Sequence, residues 1–107
     1  MTLQLHDLAK QDLFLAEDFY EQQEPGLGNY FSESLEADLE RLLELHSDHE
    51  LNFTPKKYQG YLVSRSRNFP WSIYYQCQNP HLNVQAILDQ RFSPTRIKAI
   101  LITRQPS

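Results

Sequence analysis

Eight cations crowd the second half of this 107-residue chain, at Lys56, Lys57, Arg65, Arg67, Arg91, Arg96, Lys98 and Arg104, and Asp89 is the one carboxylate that opposes them after position 50. Tyr58, Tyr61 and Tyr74 are interleaved with them. Cations that neutralise phosphate and rings that stack on splayed bases are the equipment of a nucleic-acid or target-binding surface. Lys56, Lys57, Tyr58, Tyr74 and Arg96 are the candidate contacts for such a partner. The plainer reading of the same residues is a solvated sheet face.

The first half has the opposite chemistry. Up to Glu50 there are thirteen carboxylates against Lys10 and Arg41, a balance of -11, while the remainder carries eight cations against one carboxylate, a balance of +7. The formal net charge of -4 conceals that polarity, which speaks of partners rather than of fold. Glu36, Glu40 and Glu44 recur every four residues, as do Glu17 and Glu21, and nothing in the pattern would desolvate one of them for acid-base work. They read as a solvated face, or as one that repels nucleic acid or meets a basic partner. His46 and His49, on either side of Asp48, have a spacing that could hold an ion, yet no cysteine or third histidine converges with them. A histidine at a helix C-terminus is favoured by the dipole alone. No metal and no cofactor is expected.

These groups need elements to position them. Residues 7–23 place Ala9, Leu13, Ala16 and Tyr20 on one stripe, broadened by Leu8, Leu15 and Phe19, which predicts an amphipathic helix with Asp7 as N-cap. Pro25-Gly26-Leu27-Gly28 breaks it. A second helix is expected from about Asn29 to His46, with Phe31, Leu35, Leu39, Leu42, Leu43 and His46 on one side. So short a connection predicts an antiparallel helical hairpin. Three strands follow, Tyr61–Arg67, Trp71–Gln78 and Leu82–Asp89, separated by Asn68-Phe69-Pro70 and Asn79-Pro80-His81. Trp71, Ile73, Tyr75 and Cys77 should share the core face with Leu82, Val84, Ala86 and Leu88. Leu3 and Leu5 suggest a short first strand, and the tail beyond Pro94 leans towards a short helix. The expected fold is α+β, an N-terminal strand and an antiparallel helical hairpin packed on one face of a small antiparallel sheet, in the order β-α-α-β-β-β, with the opposite sheet face open.

Length and composition agree with one domain over residues 1–107. Hydrophobic residues make up 40% and aromatics 12%, enough burial to offset the entropy of ordering a chain of this size. No stretch approaches the ~20 apolar residues of a membrane helix, and no basic start followed by an apolar run suggests a signal peptide. Cys77, the lone cysteine, can form no internal disulfide and is expected to be buried. The expected location is the cytoplasm.

The order of motifs carries a further signal. Phe19-Tyr20-Glu21, then Pro25-Gly26-Leu27-Gly28 leading into Phe31, then Phe69-Pro70-Trp71 with Ile73-Tyr74-Tyr75, then Val84 to Arg91 with Pro94, resembles the RelE/ParE superfamily of bacterial type II toxins over roughly residues 5–94. The resemblance implies the layout reached above from periodicity, and a cognate antitoxin that wraps and silences the chain. It also implies roles in bacterial stress response and plasmid stabilisation. RelE-like members are ribosome-dependent, metal-independent mRNA endoribonucleases; ParE-like members poison DNA gyrase. A nuclease needs a base, an acid and cations around the transition state. Arg65, Arg67 and Arg91 are the catalytic candidates under that reading, with Lys56 or Lys57. Where many family members carry a histidine near the end of the last strand, this chain has Asp89 and Gln90. Phe92 stands where nuclease members tend to carry a catalytic tyrosine. These departures favour an inhibitor that binds its target, DNA gyrase being the family precedent, over cleavage of mRNA on the ribosome. A module that does no more than pair with its antitoxin is the third reading.

Overall fold

The computed structural model describes residues 1–48 and 53–105. β1 (Thr2–Leu5) leads into α1 (Asp7–Gln23) and α2 (Leu27–Ser47), followed by β2 (Lys56–Tyr58), β3 (Tyr61–Arg65), β4 (Trp71–Gln78), β5 (His81–Asp89) and α3 (Pro94–Arg104). The five strands form one sheet in the order β1-β5-β4-β3-β2. The α+β class and the strand-helix-helix-strand order match the sequence expectation. The sheet is mixed rather than wholly antiparallel, because β1 runs parallel to β5 while the other pairs are antiparallel. Lys56–Tyr58 forms a strand of its own, and the following strand ends at Arg65 rather than Arg67.

Local chemistry fixes the helical hairpin. The imidazole of His6, rather than Asp7, caps α1, accepting the Leu8 amide at 3.1 Å. Only two residues separate the turn's entry at Glu24 from the start of α2, so the second helix begins at Leu27, two residues earlier than expected. Gly26 takes φ +89, in the left-handed region, where glycine carries no steric penalty. The Glu21 carboxylate then accepts the amides of Gly26 and Gly28 at 3.0 and 3.1 Å, placing a negative charge on donors that the start of α2 leaves without partners. Gly28 allows the helices to close: a Cβ there would stand 2.7 Å from the Glu17 carbonyl oxygen.

Ala9, Ala16 and Tyr20 from α1 and Phe31, Leu35, Leu39 and Leu42 from α2 are buried against Trp71, Ile73, Tyr75, Leu82, Val84 and Ile87. The indole N–H of Trp71 donates to the Tyr20 hydroxyl at 2.8 Å, so a buried donor is satisfied across the layers. Leu8, Leu15 and Phe19, expected in the same stripe, are instead exposed. They lie off the buried stripe of Ala9, Ala16 and Tyr20.

The expected face of β5 is divided. Tyr75 pairs with Val84 but Tyr74 pairs with Ala86, so Gln85 is an extra residue, a β-bulge. Leu82 and Val84 before it, and Ile87 after it, face the hairpin; Ala86 and Leu88 turn to the other side. That other side is not open. α3 covers part of it, packing Leu101, Ile97 and Ile100 on Tyr61, Tyr74, Ala86 and Leu88. Cys77 is exposed, not buried, because it lies near the end of β4 beyond the hairpin's cover, with Met1 Sδ 4.0 Å from its Sγ.

Three contacts fasten α3. The Tyr61 hydroxyl donates to the Leu101 carbonyl at 2.8 Å, the Gln105 amide donates to the Gln59 carbonyl, and Arg104 forms an ion pair with Asp12 of α1 at 2.5 Å. Asp12 also accepts the Ile87 amide at 3.0 Å while Arg104 reaches the Gln85 carbonyl at 3.3 Å. The pair thus occupies backbone groups of β5 beyond the reach of β1, which ends opposite Val84. Both side chains are mostly buried, at 14% and 12% exposure. Removing one partner from such a pair leaves an uncompensated charge. Arg104→Ala is therefore expected to cost about 3 kcal/mol, read as a lower urea midpoint at an unchanged slope.

His46 sits half-buried at the end of α2, its Nε2 2.7 Å from the Tyr75 hydroxyl and its ring edge-on to Phe53. His49, its suggested companion at a metal, lies outside the described residues. Burial holds the His46 imidazole below its ordinary value of 6.5, so the unfolded chain takes up the proton first. The stability it contributes is whole above the ordinary value and declines as pH falls through 6.5 towards the lower folded-state value. Urea midpoints should fall between about pH 7.5 and pH 5, and the slope should flatten in His46→Gln.

Candidate target-binding cleft

The part of the outer sheet face that α3 leaves uncovered is a cleft of about 630 Å³. β2 and β3 form one side, and the start of α3 with Phe92 the other. The hairpin register sets which side chains reach it. Lys56 pairs with Val63, Tyr58 with Tyr61, and Arg65 with Ser72, which puts Lys56, Val63, Arg65, Ser72 and Tyr74 on the α3 side of the sheet. Gln59 and Gly60, both with positive φ, make the tight turn that returns β2 along β3.

Lys56, Lys57, Tyr58 and Tyr74, expected at a binding surface, line this one cleft together with Arg65, a catalytic candidate under the nuclease reading, while Arg96 does not line it. Tyr58 is exposed at its rim. Tyr74 is 5% exposed and contributes to the floor rather than projecting as a stacking ring; Tyr61 is wholly buried beneath α3 and cannot stack on a ligand at all. Burial pushes the Tyr74 phenol above its usual range, against the pull of a hydrogen bond to Ser72 and of the Arg65 charge, so it is a poor base at neutral pH.

The other cations are elsewhere. Arg67 lines a separate polar depression with Asp38, Arg41 and Glu44 on the α2 side, and its backbone amide lies 3.4 Å from the Asp38 carboxylate. Asp38 is itself held by the Ser66 hydroxyl at 2.7 Å. Arg91 folds back on Asp89 in a two-pronged contact, Nε to Oδ1 at 2.9 Å and Nη2 to Oδ2 at 2.7 Å. Arg96 lies over the Phe92 ring, 3.7 Å from its centre. Arg65 and Arg67 share a small pocket with Asp38 and Arg41, whereas Arg91, paired with Asp89, lines neither that pocket nor the cleft, so the three are not gathered in one place.

The sequence does not place several cleft residues at a binding surface, Gln90 and Phe92 counting there only as departures from nuclease chemistry. Phe53, Gln90, Phe92, Pro94 and Ile97 line it, and Ser93-Pro94 was the legible signal for their placement. Ser93 caps α3, accepting the Arg96 amide at 3.2 Å, with proline at the first turn. Phe92 just before the cap is thereby turned against the sheet.

No family model and no curated protein matches this chain. Among solved structures, a chain of the chromosomal ParDE TA system from P. aeruginosa superposes with a TM-score of 0.70, covering 83% of this chain and 95% of that one at 16% identity. The likeness is one of fold.

Asp89, buried at the end of β5, is held below the usual carboxylate range by its hydrogen bonds from the Arg91 side chain, with the Arg91 amide and charge adding to the effect and burial opposing it. Its contribution is present above the ordinary value of 3.8 and is lost as pH falls through the lower folded-state value. Asp89→Asn should be less stable than the parent at pH 7, and the gap between their urea midpoints should narrow as the pH is lowered below 3.8.

Proposed function

We propose that this chain is the toxin of a bacterial type II toxin-antitoxin pair in the RelE/ParE superfamily, ParE-like in action, which binds and inhibits an essential cytoplasmic target and is silenced by a cognate antitoxin. DNA gyrase is the family's precedent for the target. The observation that carries the inhibitory reading is that no one pocket among the described residues gathers Arg65, Arg67 and Arg91. Cleavage of RNA needs cations gathered around one phosphate with a proton donor and acceptor beside it. Here Arg91 is neutralised by Asp89, Arg67 belongs to the opposite side of the sheet, and Phe92 offers no proton. The fold shared with the ParDE chain and the ordered motifs of the hairpin support the superfamily assignment.

The antitoxin is assigned to the helical hairpin. Leu8, Phe14, Leu15, Phe19 and Tyr30 are exposed there among the acidic residues, Leu15 by 70% and Phe14 by 60%. Apolar side chains gathered on a surface are the mark of a partner. A segment that covers them should carry apolar residues flanked by lysine or arginine, and its affinity should fall with salt.

Induced expression is expected to arrest growth, and the purified chain to block supercoiling by gyrase, with transcripts left uncut. Growth arrest accompanied by codon-dependent breaks, found by mapping 5′ ends on translated messages, would instead select the RelE-like endoribonuclease. Harmless expression of folded chain would reduce it to a module that binds its antitoxin.

A further inference from the structure

We infer that the cleft beside β2 receives an extended acidic segment of a protein target, one that adds to the free edge of β2 and seats a bulky apolar side chain between β3 and α3. The inference rests on the inhibitory reading and names the chemistry by which the target would be recognised. Three independent features of the cleft support a peptide rather than a nucleic acid.

The first is the edge. Among the described residues β2 is the last strand of the sheet, bonded to β3 on one side only. Tyr58 and Tyr61 close a two-residue turn, and in such hairpins the closing pair exchanges both of its hydrogen bonds. The next residue, Lys57, then directs its N–H and C=O outwards. A peptide can use that donor and acceptor by adding a strand; a nucleotide backbone has no matching repeat.

The second is the wall. Phe53, Pro55, Val63, Phe92 and Ile97 give the cleft an apolar interior, suited to one anchoring side chain. Phe92 is already in contact with the Arg96 guanidinium on one face, so it is not wholly free to sandwich a base.

The third is charge. Among the described residues, Lys56, Lys57 and Arg65 form no salt bridge. Lys56 and Arg65 stand beside the apolar interior on the α3 side of the sheet and Lys57 at the β2 edge, whereas the cations that would extend a track for a phosphate backbone are diverted, Arg91 to Asp89 and Arg67 to the Asp38 side. The net charge of -4, with a balance of -11 before position 51, opposes a long polyanion but not a few carboxylates arriving at a local cationic rim.

The test uses the full chain and an eight-residue fluorescent peptide with glutamates on both sides of a central Val-Phe-Val. Anisotropy should report micromolar binding, weakened about tenfold or more on raising salt from about 50 to about 300 mM. The paired substitution Lys56→Glu and Arg65→Glu should weaken it by a similar factor with the thermal midpoint retained. Methylating alternate backbone nitrogens of the peptide should abolish binding, and the unmethylated peptide should slow hydrogen exchange at the Lys57 amide. A lysine-for-glutamate peptide that binds as well, an oligothymidine of equal length that binds more tightly, or indifference to both the substitutions and the methylation would overturn the inference. Toxicity that persists without peptide binding would sink this inference alone, whereas peptide binding by a chain that is harmless in cells would sink the inhibitory reading and leave the cleft's ligand class standing.

Discussion

The extra residue in β5 is the constraint on which the rest of the architecture turns. In a regular strand alternate residues face alternate sides, and Leu82, Val84, Ala86 and Leu88 would all meet the helical hairpin. Skipping Gln85 reverses that alternation halfway along. The hairpin keeps Leu82, Val84 and Ile87, while Ala86 and Leu88 become a second apolar surface that has to be covered. α3 covers it, and in doing so raises one wall of the cleft. Without the bulge, Tyr61, Val63 and Tyr74 would lack Ala86 and Leu88 as the β5 part of the apolar surface that α3 covers.

The bulge falls near the point where β1 stops, and the two facts have a joint outcome. β5 past Val84 has a bare edge, the arrangement that invites uncontrolled strand pairing. Asp12 and Arg104, drawn from helices on opposite faces of the sheet, meet at that edge and occupy the Ile87 amide and the Gln85 carbonyl. One ion pair therefore seals the edge and ties α1 to α3 around it. The opposite edge, β2, has no comparable seal among the described residues and carries two lysines instead.

The helices were legible from the sequence because their signals are local. Ala9, Ala16 and Tyr20, and Phe31, Leu35, Leu39 and Leu42, are spaced by the helical repeat, and glycines punctuate the turn between them. β4 was legible for a similar reason. The bulge was not, since every other residue from Leu82 to Leu88 is apolar and Ile87 looks like a lapse in the pattern rather than a reversal of face. The same blindness hid α3's role and left Tyr61 and Tyr74 reading as surface rings. Asp12 and Arg104 are 92 positions apart, and no periodicity links them. Of the proposed site, the basic residues were visible as a list. Their separation into one cleft and two ion-pair or polar settings depended on strand register and on Asp89 and Asp38, which composition cannot place.

The residues of the hairpin motifs, with the Phe69–Trp71 entry to β4, share one employment. Tyr20 receives the Trp71 indole, Glu21 caps α2, Gly26 supplies the left-handed turn, Gly28 lets the helices touch, and Phe31 and Phe69 pack beside Tyr20. All of them hold the hairpin to the inner face of the sheet. The cleft lies on the outer face, the thickness of a sheet away, and none of these side chains lines it. The two sides of the sheet are thus largely built from different residues, with Tyr74, Gln90 and Pro94 the motif positions that reach the cleft. Substitutions at Lys56, Tyr58, Val63 or Arg65 could therefore reshape the outer cleft without disturbing the contacts that hold the hairpin to the inner face.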